Sequence, residues 1–211
     1  MRFKGLIVDF GGVLTTPLQD AMQEFAEQHE IEFQDLVRAA LRAYSGEGDD
    51  DLVVRFETGK LDEAEFALAF AQRLTELTGR EIQAEGLLAR LFGTLKLEHD
   101  MIAAVESARN NGFKTALLSN SWGLSLYPRE ILDRVCDVVI ISGEVGLRKP
   151  DPAIFTMTTD QLALEPDVCV FVDDHPGHLK AAQEAGMTTV LHKSPRETIA
   201  ELEGLLGLPL S

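Results

Sequence analysis

Positive charge is what this sequence has least of. Nineteen lysines and arginines stand against 35 aspartates and glutamates, a formal charge of −16. No basic stripe is left to neutralise a phosphate backbone, which excludes nucleic acid as a partner and disfavours an anionic membrane surface. Cysteine is nearly absent. Cys136 and Cys169 both lie in apolar runs, Val135-Cys136-Asp137-Val138-Val139 and Val168-Cys169-Val170-Phe171, and read as small core residues in a reducing compartment, not as a disulfide. Long hydrophobic runs are missing too: none approaches the ~18 residues of a membrane span. Asp9 interrupts the N-terminal apolar stretch too early for a signal peptide. The expectation is a cytoplasmic protein. What is present is ordinary globular composition, 45% hydrophobic and 26% charged over 211 residues. That suffices for one core, or one core with a smaller accessory unit.

Along the chain, residues 3–8 read as a buried strand. From about Pro17 to Phe92 the period changes to that of helices. Met22, Phe25, Ala26 and His29 recur at helical spacing, as do Phe33, Leu36, Val37, Ala40, Leu41 and Tyr44. The polar break Ser45–Asp51 is either a loop or a helix start. Asp62 and Glu65 have the spacing of a capping box, ahead of the stripe Phe66, Ala69, Phe70, Leu74 and Leu77, and Leu87, Leu88, Leu91 and Phe92 suggest one more short helix. No strand is expected in this stretch. From Glu98 onward helices and strands alternate. Met101–Ala108 is a helix stopped near Gly112, Phe113–Leu118 a strand, Pro128–Val135 a helix and Asp137–Ile141 a strand. A helix then opens at Asp151-Pro152, Val168–Val172 is a strand ending in Asp173-Asp174, and a helix runs to Gly186. Thr188–Leu191 and Pro195–Leu206 close the chain as strand and helix. Five strands alternating with helices imply an α/β fold, a Rossmann-like, doubly wound, mainly parallel sheet. The helical stretch after the first strand is too long for a crossover. Residues 1–16 and 93–211 are therefore expected to form the core domain, with 17–92 an inserted α-helical cap.

In such sheets ligands bind beyond the carboxyl ends of the strands. Three expected strands end in functional side chains: Asp9, Ser119-Asn120 and Asp173-Asp174. Lys149 follows a fourth. The set suits phosphoryl transfer. Asp9 can act as a carboxylate nucleophile. Carboxylates facing a dianionic phosphate repel it unless a divalent cation intervenes, and magnesium, an oxygen-seeking ion held by one or two carboxylates and phosphate oxygens, fits that need. Lys149, the Ser119-Asn120 turn and backbone amides of Phe10, Gly11 and Gly12 can hold phosphoryl oxygens.

Four segments carry a family resemblance: Asp9-Phe10-Gly11-Gly12-Val13-Leu14, Leu118-Ser119-Asn120-Ser121-Trp122, Gly146-Leu147-Arg148-Lys149-Pro150-Asp151-Pro152 and Phe171-Val172-Asp173-Asp174. In this order and spacing the chain resembles the haloacid dehalogenase superfamily of hydrolases over essentially its full length. It is most similar to members of subfamily I with a helical C1 cap, such as the N-terminal phosphatase domain of soluble epoxide hydrolases. The resemblance implies that Asp9 is nucleophile and magnesium ligand, that the Gly11 carbonyl and Asp174 complete the protein's share of the metal site, that Ser119 and Lys149 hold the phosphoryl oxygens, and that Asp173 supports them from behind. It implies a Mg2+-dependent phosphatase acting on a small phosphorylated substrate.

One departure matters. Phosphatases of this family usually carry a second Asp two residues after the nucleophile, which protonates the leaving alcohol; here that position is Gly11. A general acid contributes ~10²–10⁴-fold. The expectation is a preference for good leaving groups, or an acid borrowed from His175, Thr15 or Thr16. Alternative readings are a metal-independent dehalogenase-type hydrolase, against which Asp173-Asp174 speak, a phosphomutase, and a non-catalytic phosphate-binding regulatory protein. Arg38, Arg42 and Arg55 of the cap face either cleft or water. Trp122 is either a gate or an anchor for the lobe, and the apolar cap faces offer a seam for a homodimer.

Overall fold

The computed structural model describes residues 2–45 and 51–210. The chain opens with β1 (Gly5–Val8), buried along its whole length, as a central parallel strand must be. Five helices follow: α1 (Leu18–Gln28), α2 (Phe33–Ser45), α3 (Leu52–Glu57), α4 (Glu63–Thr78) and α5 (Leu87–Phe92). After α6 (His99–Asn110) the alternating part runs through β2 (Lys114–Ser119), α7 (Arg129–Val135), β3 (Val138–Ile141), α8 (Ser142–Val145), α9 (Pro152–Leu162), β4 (Cys169–Asp173), α10 (Pro176–Glu184), β5 (Thr188–Leu191) and α11 (Pro195–Leu206). Among the described residues five strands form one sheet, ordered β3-β2-β1-β4-β5, with every pair parallel. The expected fold class is thus found. No helix among the described residues is long and apolar enough to cross a membrane.

Strand period two sorts the core into two layers. Leu6 and Val8 face a cluster with Met101 and Val105 of α6, Leu132 of α7 and Leu202 of α11. Ile7, between them, faces the opposite cluster, with Ile154 and Phe155 of α9 and Leu179 of α10. Both cysteines are free and buried, as the apolar runs implied. Burial pushes their thiols up, to about 12 for Cys136 and about 11 for Cys169, so neither is a thiolate at neutral pH.

A third cluster belongs to the helices of residues 18–92, around Phe25, Leu36, Phe56, Phe66, Phe70 and Leu87. Helix α4 starts on the anticipated box: the Glu65 amide donates to Asp62 Oδ1 at 2.8 Å and the Asp62 amide to Glu65 Oε2 at 3.0 Å. This lobe leaves and rejoins the sheet at one place. The Thr16 amide donates to the Lys96 carbonyl at 2.8 Å, and Thr15 and Leu97 form an antiparallel bridge. Leu95 still packs with the lobe and Leu97 already with the sheet.

Three details differ from expectation. β1 begins at Gly5 instead of Phe3. Leu41 is not on the buried face of α2: it is 62% exposed while Ala39 is buried. Five residues past Leu36, it lies ~140° around the helix. The short helix α8 is an addition, whereas α3 takes up the helix-start reading of the polar break. Of the polar break, Gly46–Asp50 lie outside the described residues, and Asp51 precedes α3.

Candidate active site

The parallel register sets the carboxyl ends level. Val8 pairs with Leu117 on one side and Val172 on the other, so Asp9 emerges between Ser119 and Asp173. The Asp9 amide donates to the Val172 carbonyl at 2.9 Å. Around Asp9 the sheet gathers Lys149, Asp173 and Asp174. Lys149 is wholly buried, and its Nζ lies 2.8 Å from Asp9 Oδ1 and 2.6 Å from Asp173 Oδ2. One oxygen from each of Asp9, Asp173 and Asp174 lies within 4.8 Å of the others.

One ammonium does not satisfy three carboxylates. Burial pushes the Asp9 carboxyl up to about 7 against the pull of Lys149, and Asp173 and Asp174 push the same way. Burial also opposes ionisation of Asp173, but Lys149 and His178 outweigh it and hold that carboxyl at about 2. His178 Nδ1 sits 3.1 Å from both Asp173 oxygens, and the His175 amide donates to Asp173 Oδ1 at 2.8 Å. Asp174 is raised by burial and by Asp173. Burial lowers Lys149, yet Asp9 and Asp173 prevail and it is raised, remaining ammonium. Asp173 is therefore taken up internally, while Asp9 and Asp174 are left with excess negative charge beside a cavity of about 550 Å³. An oxygen-seeking divalent cation fits that donor set. Gly11 lines the same cavity, and its carbonyl accepts no backbone hydrogen bond among the described residues.

Gly12 makes the close approach possible. Its φ is +77°, and a Cβ there would fall 2.5 Å from Asp174 Oδ2. Its amide is directed at Thr15 Oγ1, 3.1 Å away; the amides of Phe10 and Gly11 have no such internal acceptor among the described residues. Ser119 lines the cavity with its Oγ 2.9 Å from the Tyr127 hydroxyl. Asn120 grips Lys149 from outside: its Oδ1 accepts from the Lys149 amide at 2.8 Å and its Nδ2 donates to the Lys149 carbonyl at 3.0 Å. The Lys149–Pro150 peptide is cis.

The helical lobe supplies a residue that sequence reasoning missed. Glu57, at the end of α3, is fully buried, with Oε2 2.5 Å from Arg148 Nε and 3.5 Å from Asn120 Nδ2. Its carbonyl accepts from Ser142 Oγ at 2.5 Å. Tyr127 was missed as well. Arg38 pairs with Asp35 at 2.8 Å and Arg55 lies 4.0 Å from Asp51, both half-exposed and away from the cavity; the side chain of Arg42 lies outside the described residues. Trp122 packs on Phe92 of the lobe, ring centroids 5.5 Å apart, and borders the cavity. His175 uses Nδ1 to accept from the Gly177 amide at 3.2 Å, capping α10. Thr15 donates to the Thr16 carbonyl at 3.0 Å, and Thr16 Oγ1 accepts from the Lys96 amide at 3.1 Å.

A parallel α/β sheet with a carboxylate after its central strand, a buried lysine beside it and an acidic pair after the neighbouring strand defines a hydrolase-type core. The chain belongs to the haloacid dehalogenase-like hydrolases, whose family model matches residues 3–186. It is 30% identical over 212 residues to acyl-CoA dehydrogenase family member 10 of Mus musculus, across 99% of this chain and 20% of that protein. It is 28% identical to bifunctional epoxide hydrolase 2 of Sus scrofa, across 100% of this chain and 40% of that one. The chain thus spans less than half the length of either relative. A HAD-family enzyme of Bacteroides thetaiotaomicron, crystallised with magnesium and inorganic phosphate, shares the fold at a TM-score of 0.67 and 23% identity, over 90% of this chain and 94% of that one.

Proposed function

We propose that this protein is a magnesium-dependent phosphohydrolase that works through an aspartyl-phosphate on Asp9 and takes a small phosphorylated metabolite. The observation that carries the reading is the buried Lys149 ammonium bridging Asp9 and Asp173 while Asp174 stays beside the cavity. Lys149 fixes Asp9 Oδ1, which leaves the other oxygen for attack at phosphorus. The Ser119 hydroxyl, the Lys149 ammonium and the amides of Phe10 and Gly11 are the donors for the equatorial oxygens. Asp9, Asp174 and the Gly11 carbonyl would hold the magnesium, which supplies charge neutralisation for the phosphoryl group. Water then attacks the aspartyl-phosphate and frees Asp9. The HAD-family enzyme crystallised with magnesium and phosphate supports this assignment, and the charge of −16 supports a small substrate over nucleic acid.

A screen of phosphorylated metabolites with magnesium tests it, run on the wild type and on Asp9→Asn. The variant should lose turnover by about 10⁴-fold or more, and chelation should silence the wild type. Equal activity in both proteins, or activity that survives chelator, overturns the assignment.

A further inference from the structure

We propose that the leaving group of this site's substrate sits in the apolar chamber beside the phosphoryl site, away from His175 and His178, and departs as a stable anion, so that acyl phosphates are favoured above all. The proposal rests on Asp9 as nucleophile and adds the substrate class.

A second cavity of about 320 Å³ adjoins the first. The two share Gly11, Leu18, Ser119 and Trp122, so the second begins where the phosphoryl site ends. Phe92, Leu95 and Leu126 make much of its wall. Among the described residues lining it there is no carboxylic acid, histidine, lysine or cysteine. It has four hydroxyls, all far too weakly acidic to protonate a leaving group at neutral pH, and each lies within hydrogen-bond reach of a protein acceptor. Thr15 donates to the Thr16 carbonyl at 3.0 Å and Ser125 to Glu63 at 3.1 Å. The Tyr127 hydroxyl lies 3.2 Å from the Asn120 carbonyl and 2.9 Å from Ser119 Oγ, whose own hydroxyl is the one turned to the phosphoryl group. Burial raises the Tyr127 phenol further above its ordinary value.

Position 11 shows the same preference for hydrocarbon. A Cβ on Gly11 would fall 3.0 Å from Leu18 Cδ1 and 3.3 Å from Leu18 Cγ. Leu18, from the first turn of α1, therefore occupies the volume into which a side chain at 11 would project. An alkoxide, the conjugate base of an alcohol about as weakly acidic as water (pKa ~15.7), leaves poorly without a proton. A carboxylate, with a conjugate acid near pKa ~4, needs none.

The step balances without an acid. An Asp9 oxygen bonds to phosphorus, the bond from phosphorus to the substrate's carboxylate oxygen breaks, and R–COO⁻ leaves with the electron pair. One acyl phosphate has been exchanged for another. Water then attacks the phosphorus on Asp9, the bond to the Asp9 oxygen breaks, and inorganic phosphate carries off the water-derived oxygen while the surplus proton goes to solvent.

The test is kcat/KM across acetyl, benzoyl, 4-nitrophenyl, phenyl and alkyl phosphates, with magnesium and corrected for spontaneous hydrolysis. Acyl phosphates should exceed alkyl phosphates by about 10²-fold or more, the range a missing general acid leaves uncompensated. Gly11→Asp combined with Leu18→Ala, which supplies a carboxyl and the space for it, should raise alkyl phosphate turnover about 10-fold or more. The wild-type series decides alone if that variant does not fold. Equal kcat/KM for acyl and alkyl phosphates in the wild type overturns the leaving-group proposal and leaves Asp9 as nucleophile intact. No turnover of any donor, with no label on Asp9 from radioactive acetyl phosphate, overturns both.

Discussion

Asp9 and Asp173 share one ammonium unequally, and this gives the metal-free protein a defined pH behaviour. Asp9 titrates at about 7 in the folded protein, above the ~3.9 of an exposed aspartate. Between those values the folded state keeps a proton that the unfolded chain has lost, so stability falls as pH rises from about 4 to about 7. Asp173, held at about 2, works the other way: its contribution is full above ~4 and is lost as pH falls toward 2. His178 and His192, lowered by burial, act against the Asp9 effect between about pH 5 and 7, so the Asp9 contribution is read by difference. From pH 5 to pH 8 in chelator the urea midpoint of the wild type should fall relative to that of Asp9→Asn, and no relative fall would contradict the charge balance drawn for Asp9. A second expectation concerns Gly12. Gly12→Ala places a methyl 2.5 Å from Asp174 Oδ2 on a backbone at φ +77°, which should cost about 1–3 kcal/mol and weaken magnesium binding about 10-fold or more. Calorimetric titration of both proteins measures this. Asp9 and Asp174 were legible as strand-end residues because each closes an apolar run that announces a strand; Lys149 lies eight residues past β3, with α8 between, and was picked out by its Gly-Leu-Arg-Lys-Pro segment. Glu57 and Tyr127 were not. Glu57 meets Asn120 from 63 positions away and Tyr127 meets Ser119 from eight, and nothing local marks either as buried.

Helices with their own signals were read closely. The Asp62–Glu65 box, Leu87–Phe92 and Pro195–Leu206 stand as the sequence implied, because cap residues and a 3.6-residue apolar period are local properties. Helix α3 was legible only as a possible helix start at the polar break and α8 not at all: six and four residues are too few to establish a period. Packing places them instead, α3 through Leu52, Val53 and Phe56 in the lobe core, and one bond joins the two, from Ser142 Oγ to the Glu57 carbonyl. The box can be weighed directly. Asp62→Ala removes the acceptor for the Glu65 amide and should destabilise the protein by about 1 kcal/mol in urea unfolding. No measurable change would mean that α4 is held by packing of Phe66 and Phe70 alone.

Across the molecule, polar contacts of Glu57 and Glu63 among the described residues fasten the helical lobe over the sheet. Glu57 meets Arg148 and Asn120, and Glu63 accepts from the amide and hydroxyl of Ser125 at 3.2 and 3.1 Å. Glu57→Ala leaves Arg148, only 19% exposed, beside a void. Breaking a buried pair in this way should cost about 3–5 kcal/mol. Limited proteolysis and urea unfolding would register the loss, and a change below ~1 kcal/mol would place the pair with weak surface bridges. The seam was not legible in the sequence, since it depends on how distinct apolar clusters come to rest against one another. The point where the lobe departs carries a different consequence. Thr16 and Lys96 are hydrogen-bonded next to the antiparallel bridge of Thr15 and Leu97, a spacing that an ordinary hairpin turn can join. In topological terms the lobe is one very long hairpin loop, so a gene encoding this chain could exchange it whole, or lose it, without re-threading a single strand of the sheet.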